Sequence, residues 1–242
     1  IGAITSEWIG FANYTKLLKD NVFHIAVWNS VKYMFFTLVL LIPFPMLFAV
    51  LMDSNLVKAK GVWKAILYMP ALTSVVISGT LFRLMFTEYT TGQMNMITAA
   101  LGLGTYKWLK MGWSGMLALL IVACWRWTGV NMLYFLSGLK SIDTSLYEAA
   151  EVDGATSTQI FWKITLPLIS PVILLNFVYI MVSFFTDSSN ALVEYILNTT
   201  FKVQQFEVGA AMSWIYFAFT FALCMLVMNI LRRRTYTMGG RE

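Results

Sequence analysis

The chain has 242 residues, 59% of them hydrophobic and 12% charged, with a mean hydropathy of +0.70 and a formal net charge of +5. Soluble domains are about half apolar and about a quarter charged, so this composition excludes an ordinary soluble domain and indicates a polytopic membrane protein. The lone histidine, His24, and the two cysteines, Cys124 and Cys224, lack the spacing of a metal site. We therefore expect no metal centre. We also expect no nucleic-acid partner, because loop residues account for the positive charge.

Residues 1–28 predict an amphipathic segment at the outer membrane surface, and five apolar spans follow, each near the roughly 20 residues that a membrane helix needs. In chain order the spans are Tyr33–Met52, Ala65–Phe82, Met111–Leu139, Ile164–Thr186 and Val208–Leu231. Pro43 and Pro45 are expected to kink the first span and Pro70 the second, because proline removes a backbone donor. The predicted fold class is an all-α polytopic membrane helical bundle, forming a single transmembrane domain over residues 1–242.

Lysine and arginine residues in the loops predict the orientation, because cytoplasmic loops are enriched in them. One side of the predicted bundle has nine and the other has five. The nine are Lys58, Lys60, Lys64, Lys140, Lys163, Arg232, Arg233, Arg234 and Arg241, and the five are Lys16, Lys19, Lys107, Lys110 and Lys202. The arginine triplet directly after the fifth span indicates a cytoplasmic C-terminus.

The loop at residues 140–165, which this orientation places in the cytoplasm, contains an acidic stretch, YEAAEVDGA. Ser145 to Glu148 and Thr156 to Gln159 fit capping boxes, and Gly154 fits a left-handed helix end between them. The loop therefore predicts two short helices joined at a glycine. Such a pair either only links two spans at the membrane surface or docks a protein partner. Its acidic charge disfavours a lipid-facing role, since the inner leaflet is itself anionic.

The spacing from Glu148-Ala149-Ala150 through Gly154 to the sequence ITLP, which ends at Pro167, resembles the EAA loop of permease subunits of bacterial binding-protein-dependent ABC importers. The forms YEAAEVDGA and ITLP are similar to its carbohydrate-uptake branch. The resemblance covers nearly the whole chain, through GFANYTKLL, LYMPALTSVVISGTLFRLMF, WRWTGVNMLYFLSGLKSI and FEVGAAMSW. The details favour the type of the larger maltose permease subunit. This implies a type I ABC importer transmembrane fold with at least six spans, so one more span is expected ahead of residue 1.

The resemblance implies a transport subunit, not an enzyme, in an ATP-driven importer of sugars or oligosaccharides that works by alternating access. The implied partners are a second related permease subunit, two copies of a cytoplasmic ATPase subunit that bind ATP and Mg, an external solute-binding protein and membrane lipid. No cofactor is expected on this chain, which has no phosphate-binding GxxxxGK loop. The implied location is a bacterial or archaeal cytoplasmic membrane.

In this family the first helix of the loop couples the permease to the ATPase. The coupling residues that the resemblance implies are Glu148, Ala149, Ala150, Asp153, Gly154, Leu166 and Pro167. The small alanines would allow close packing, and the glycine would set the angle between the two helices. Glu148 has two expected partners, a basic residue of the ATPase and the backbone of its own capping box. Both can hold, because a carboxylate has several acceptor sites.

Polar residues within the spans are candidates for the substrate path, because they are costly in a membrane. They include four residues at the spacing of one helical stripe in the fourth span, and the resemblance adds sugar-contacting positions in the third. The candidates are Trp125, Arg126, Gly129, Asn131, Ser183, Thr186, Asp187 and Asn190. Alternatively, Ser183 and Thr186 bond their own helix backbone, and Asp187 lies in water at the outer interface. Arg126 could pair with Asp187, bind an acidic sugar or extend to the interface.

The sequence gives less support to other functions. One alternative is an ABC permease for phosphate, glycerol phosphate or peptides, in which Arg126 could meet an anionic substrate. A secondary transporter or channel needs no EAA-type loop, and the sequence shows no inverted repeat. A membrane enzyme would need a catalytic set such as HExxH or paired carboxylates, and none is visible. The loop carboxylates Glu148, Glu151 and Asp153 do not converge, since residues on a helix are separated by about 100° each.

Overall fold

The structure is a computed structural model that describes residues 8–54, 56–110, 112–187 and 189–232. All regular secondary structure in these ranges is helical, as expected from the sequence. The helices are α1 (Ala12–Leu17), α2 (Asn21–Leu41), α3 (Pro43–Asp53), α4 (Lys60–Leu72), α5 (Val75–Met85), α6 (Gln93–Ala100), α7 (Trp113–Lys140), α8 (Thr144–Val152), α9 (Ser157–Ile160), α10 (Leu166–Leu168), α11 (Ser170–Thr186), α12 (Ala191–Leu197) and α13 (Phe206–Arg232). Two π-helical turns, Phe161–Thr165 and Asn198–Lys202, continue α9 and α12.

Four helical segments of the described chain are long and apolar enough to cross a membrane, and a bent pair makes a fifth. The segments are Asn21–Asp53, Trp113–Lys140, Ser170–Lys202 and Phe206–Ile230, and the pair is α4 with α5. Each of the five predicted spans overlaps one of these elements, although the bounds differ. Three parts of the sequence predictions lie outside the described residues. They are the start of the third span at Met111, the orienting arginines Arg233, Arg234 and Arg241, and residues 1–7 of the predicted outer segment.

The first span begins twelve residues earlier than the predicted Tyr33, so α2 occupies part of the segment assigned to the outer surface. The reason is a local cap at Asp20, whose carboxylate accepts the backbone N–H of Val22 at 2.8 Å. Burial opposes ionisation of Asp20, but hydrogen bonds from the Tyr195 hydroxyl and the backbone lower its pKa overall.

The kink predicted in the first span falls between α2 and α3. Pro43 is the first residue of α3, a position where proline is tolerated because the backbone N–H has no helical partner there.

The chain forms two compact units. The first unit joins residues 8–35 to residues 178–232, and the second unit is residues 36–177. In the first unit, α1, α12 and α13 surround a core of apolar side chains. That core comprises Leu17, Phe23, Ala26, Leu192, Val193, Val208, Ala211, Met212 and Tyr216.

The second unit has its main core where α3 and α7 pack together with the start of α11. This core comprises Ala49, Met52, Met132, Phe135, Leu136, Leu139, Ile142 and Ile169. Gly138 lets α7 approach α11, because an added Cβ would lie 2.7 Å from a methyl group of Val172. The core includes Leu139 and Ile142 at the end of α7, so it adjoins the start of the EAA-like loop.

The connection between α5 and α7 is organised by the side chain of Asn95, which is completely buried. Its Nδ2 donates to the carbonyl oxygens of Tyr89 and Tyr106, both at 3.1 Å. Its Oδ1 accepts from the Tyr106 backbone at 2.9 Å and from the Trp108 indole at 2.8 Å. The Asn95 amide thus bonds backbone groups that have no partner within a helix. A non-helical connection requires such partners, because buried backbone groups must be hydrogen-bonded.

Candidate functional sites

The EAA-like loop begins with a capped helix, but the cap is Asp143 instead of the predicted Ser145. The Asp143 carboxylate accepts the Ser145 backbone N–H at 3.0 Å, and this hydrogen bond lowers the pKa of the carboxyl group. The predicted capping box between Ser145 and Glu148 is therefore wrong, because both residues lie inside α8. The Glu148 carboxylate is exposed, and no side-chain hydrogen bond to it occurs within the described ranges.

The predicted left-handed end of α8 is confirmed at Gly154, which has a φ of +77°. The Ala155 N–H donates to the carbonyl of Ala150 at 2.9 Å, and the Gly154 N–H donates to that of Glu151 at 3.0 Å. This pair of bonds is a Schellman motif, which satisfies the last carbonyls of a helix and turns the chain sharply. Gly154 therefore sets the angle between α8 and the helical run that follows.

The predicted capping box at Thr156 and Gln159 is also confirmed. The Gln159 side chain accepts the Thr156 backbone N–H at 2.8 Å, and the Thr156 hydroxyl accepts the Gln159 N–H at 3.4 Å. The helix that starts here continues through the π-helical turn to Leu166, Pro167 and Leu168 of α10. Both Leu166 and Pro167 are half-buried at the junction with α11.

A contact that the sequence did not suggest joins the two halves of the loop. The Tyr147 hydroxyl lies 3.2 Å from the Thr165 hydroxyl, and the Tyr147 ring packs on the main core of the second unit. Tyr147 and Thr165 belong to the stretches YEAAEVDGA and ITLP, but nothing in their spacing indicated that their side chains meet. The contact attaches α8 to the helix that leads into α11.

The outer surface of α8 presents small, apolar and acidic groups together. Glu148, Ala149 and Asp153 are exposed, and Ala150 is half-buried. Val152, which lies among three carboxylates, is 88% exposed. Such exposure of an apolar side chain is unusual. A short helix with this surface, fixed at both ends, is suited to enter a groove on another protein.

In the third span, which is α7, Trp125 and Arg126 have defined neighbours within the second unit. The Trp125 ring is 36% exposed and contacts Phe82 edge-on, with ring centroids 5.0 Å apart. The Arg126 guanidinium donates to the Ser78 hydroxyl at 3.4 Å and lies 5.3 Å from the centre of the Trp127 ring. Its partner in this unit is therefore a hydroxyl group, which was not among the predicted alternatives.

Gly129 and Asn131, on the same helix, are both buried. A Cβ at Gly129 would overlap the Leu67 carbonyl oxygen and lie 2.8 Å from the Cα of Tyr68, so α7 and α4 touch here backbone to backbone. The Asn131 amide donates to the Trp127 carbonyl at 2.9 Å, while its Oδ1 has no partner within the described part of the chain. Gly129 thus has a packing role that the sequence did not reveal.

The predicted stripe in the fourth span is not one helical face. α11 ends at Thr186, and a new helix starts after Asn190, so helical spacing does not extend across the four residues. The Thr186 hydroxyl bonds the carbonyl of Ser183 at 3.1 Å, as the alternative interpretation expected. The Asp187 carboxylate accepts the Ser189 N–H at 2.9 Å. The Asp187 and Asn190 side chains thus bond backbone N–H groups two residues ahead, which is how such residues compete with helical bonds.

Asn190 is a buried structural centre of the first unit, with no exposed surface. Its Oδ1 accepts from the Leu192 N–H at 3.0 Å, capping α12, and from the Ser30 hydroxyl. Its Nδ2 donates to the Tyr216 hydroxyl at 2.7 Å, which donates to the Phe184 carbonyl at 3.1 Å. The amide and the Tyr216 hydroxyl together therefore connect four helices of this unit, α2, α11, α12 and α13.

Replacing Asn190 with alanine is expected to lower the thermal stability of the protein, at a cost of about 1–3 kcal/mol, because buried polar partners lose their bonds. The measurement is the melting temperature of the purified protein in detergent. Thr186→Ala is the matched control and should melt like the wild type, since its exposed hydroxyl bonds only its own helix. If Asn190→Ala melts normally while uptake falls, the amide acts on substrate and not on the fold.

Comparisons with known proteins agree with this architecture. Residues 25–238 match the family model described as "Binding-protein-dependent transport system inner membrane component". The fold is that of a type I ABC importer permease. The transporter for import of the acidic polysaccharide alginate superposes with a TM-score of 0.84 over 97% of this chain and 87% of that chain, at 23% identity. At that identity the likeness concerns the fold alone.

Curated relatives are permease proteins. The arabinooligosaccharides transport system permease protein AraP of Bacillus subtilis is 43% identical over 166 residues, 69% of this chain and 53% of AraP. The lactose transport system permease protein LacF of Rhizobium radiobacter is 28% identical over 247 residues, 94% of this chain and 82% of LacF. The AraP match thus spans about half of that relative's length. The family model matches residues 25–238, which is most of this chain. The chain therefore belongs to the family of inner membrane components of binding-protein-dependent transport systems.

Proposed function

We propose that this chain is the permease subunit of an ATP-driven importer of sugars or oligosaccharides, working by alternating access. The family membership supports a transport role, and the names of the relatives AraP and LacF support the substrate class. The proposed setting is a bacterial or archaeal cytoplasmic membrane, with the C-terminus in the cytoplasm.

The observation that carries the proposal is α8, an exposed helix whose orientation is fixed at both ends. Asp143 caps its start, the Schellman motif at Gly154 ends it, and the bond between Tyr147 and Thr165 attaches it to the helix leading into α11. A displacement of α8 by a partner would therefore be transmitted to α11. We propose that the partner is a cytoplasmic ATPase subunit, on which ATP and Mg²⁺ bind.

The Glu148 carboxylate is free to meet a basic residue of that ATPase, since α8 does not use it as a cap. Ala149 and Val152 would face the apolar wall of the receiving groove. The complex would comprise this chain, a second related permease subunit, two ATPase copies and an external solute-binding protein. This stoichiometry follows from the family resemblance.

The proposed substrate contacts lie separately in each unit. In the second unit, Trp125 offers a partly exposed ring face, which suits stacking against a sugar. In the first unit, Ser183, Thr186 and Asp187 offer groups that bond sugar hydroxyls. Asn190 and Gly129 are less suited to direct contact, because both are engaged in packing.

Uptake into proteoliposomes tests the proposal. The full complex, reconstituted with the binding protein and ATPase encoded beside it, should accumulate a radiolabelled arabino-oligosaccharide or lactose only with ATP inside and binding protein outside. An sn-glycerol 3-phosphate arm tests a second candidate, because the permease protein UgpA of Agrobacterium fabrum is 26% identical over 96% of this chain. Uptake of glycerol phosphate without sugar uptake would replace the sugar assignment, and ATP-independent uptake would contradict an ABC importer.

A further inference from the structure

The second span is broken in its middle. α4 and α5 meet at an angle of 97°, and Thr73 and Ser74 between them have extended backbone, with ψ of 144° and 140°. A break within a membrane leaves backbone groups without helical partners, and these must be satisfied inside the protein. The sequence suggested a kink at Pro70, but Pro70 lies within α4, and the chain bends after it.

Two hydroxyl groups bridge the break. The Thr73 hydroxyl donates to the Pro70 carbonyl at 2.6 Å and lies 2.8 Å from the Ser78 hydroxyl. The Ser78 hydroxyl also lies 3.0 Å from the Ser74 carbonyl and is 3% exposed as a residue. Each hydroxyl has one proton. With the Thr73 proton on Pro70, Ser78 donates either to Thr73 or to Ser74, and its own oxygen can accept another donor.

Arg126 is that donor. Its Nη1 lies 3.4 Å from the Ser78 oxygen, and its guanidinium is placed over the Trp127 ring. No carboxylate forms an ion pair with it among the described residues of its unit. A half-buried arginine in an apolar helix is costly, so a defined partner at a helix break is informative. When Ser78 donates to Thr73, Arg126 completes a chain of hydrogen bonds that ends at the Pro70 carbonyl in the last turn of α4.

We propose that Arg126 is a positioning residue that holds the second span in its bent form through Ser78 and Thr73. α4 is anchored on α7 by the backbone contact at Gly129. The part that the hydrogen-bond chain controls is therefore the angle of α5 relative to α4. If the proposed transport function holds, release of this chain is one step by which the path changes its opening.

Spin-label distances measure this angle directly. Labels at Trp63→Cys on α4 and Leu84→Cys on α5 occupy positions 50% and 66% exposed, in a full-length chain with Cys124→Ala and Cys224→Ala, assembled in lipid nanodiscs. At a rise of about 1.5 Å per residue each arm from the break is ~14 Å long, so straightening would lengthen the separation from ~20 Å to ~30 Å. The wild type should give the short distance.

Arg126→Gln and Thr73→Val should shift the population toward longer distances, by about five-fold in the ratio of bent to extended forms, the change expected for one lost hydrogen bond. Thr73→Ser keeps the hydroxyl, and Arg83→Gln removes an exposed arginine of α5, so both should keep the short distance. Unchanged distances in Arg126→Gln and Thr73→Val overturn the proposal. The readout needs no substrate, so it fails independently of the transport function, which the uptake assay tests by itself.

Discussion

Gly129→Ala is expected to destabilise the protein severely, by roughly 3 kcal/mol or more, the upper end of what overpacking costs. The added methyl group would overlap the Leu67 carbonyl oxygen and crowd the Cα of Tyr68. These are backbone atoms and cannot rotate away as a side chain would. α4 must therefore move off α7, which exposes the core that the two helices help to enclose. The measurement is the melting temperature and the fraction of folded protein on size exclusion in detergent.

Gly79→Ala is the matched control, because Gly79 is also helical and nothing lies within 4 Å of its added Cβ. Alanine is a better helix former than glycine by about 1 kcal/mol, so this variant should be as stable as the wild type or slightly more so. A Gly129→Ala protein with normal stability would show that α4 and α7 are further apart than the structure has them. Lost uptake with normal stability would instead restore Gly129 as a substrate contact.

Glu148→Lys is expected to weaken the coupling between permease and ATPase. Binding-protein-stimulated ATP hydrolysis and uptake should both fall about ten-fold or more, because a like charge placed against the basic residue proposed on the ATPase costs several kcal/mol. Stability should not change, since the Glu148 carboxylate makes no bond within its own helix. The readouts are ATPase rate and uptake of the reconstituted complex. Glu88→Lys reverses an exposed charge away from α8 and should leave the rates unchanged.

Gly154→Val tests the same loop through its geometry in the same assay. Gly154 has a φ of +77° with open space around it, so valine adds no clash but strains a left-handed position by roughly 1–2 kcal/mol. α8 would then end at a different angle, and stimulation should fall. Gly102→Val matches it at φ +73°, also in open space, outside the loop. Full activity in both Glu148→Lys and Gly154→Val would contradict the proposal that α8 couples the permease to the ATPase.

Local features of the loop could be predicted because their causes are local. Gly154 and the box at Thr156 involve residues within a few positions of each other, so sequence spacing is nearly sufficient. The first cap was placed wrongly because Asp143, Thr144 and Ser145 are three consecutive cap-forming residues. All three can cap a helix, and only the backbone conformation at Asp143 decides among them.

The transmembrane candidates were less predictable, because their surroundings come from distant segments. The polar stripe assumed one continuous helix, but Asn190 bonds Ser30, 160 positions away in the chain, and helps to end that continuity. Gly129 was given a sugar contact, whereas its neighbour is the backbone of another helix. The break at Thr73 is equally invisible, since Pro70 is the more obvious helix-breaking residue.

The division of the chain into two units has a consequence for its synthesis. Residues 36–177 form one contiguous unit, whereas residues 8–35 need residues 178–232 to complete theirs. Ser30 meets the Leu192 backbone only after 162 further positions have been translated, which takes roughly 10–30 s at typical bacterial rates. During that interval the Ser30 hydroxyl can bond only its own helix, at the Ala26 carbonyl 2.8 Å away. The first unit can therefore close around Asn190 only after α12 and α13 have been made, whereas the second unit can pack while they are still being translated.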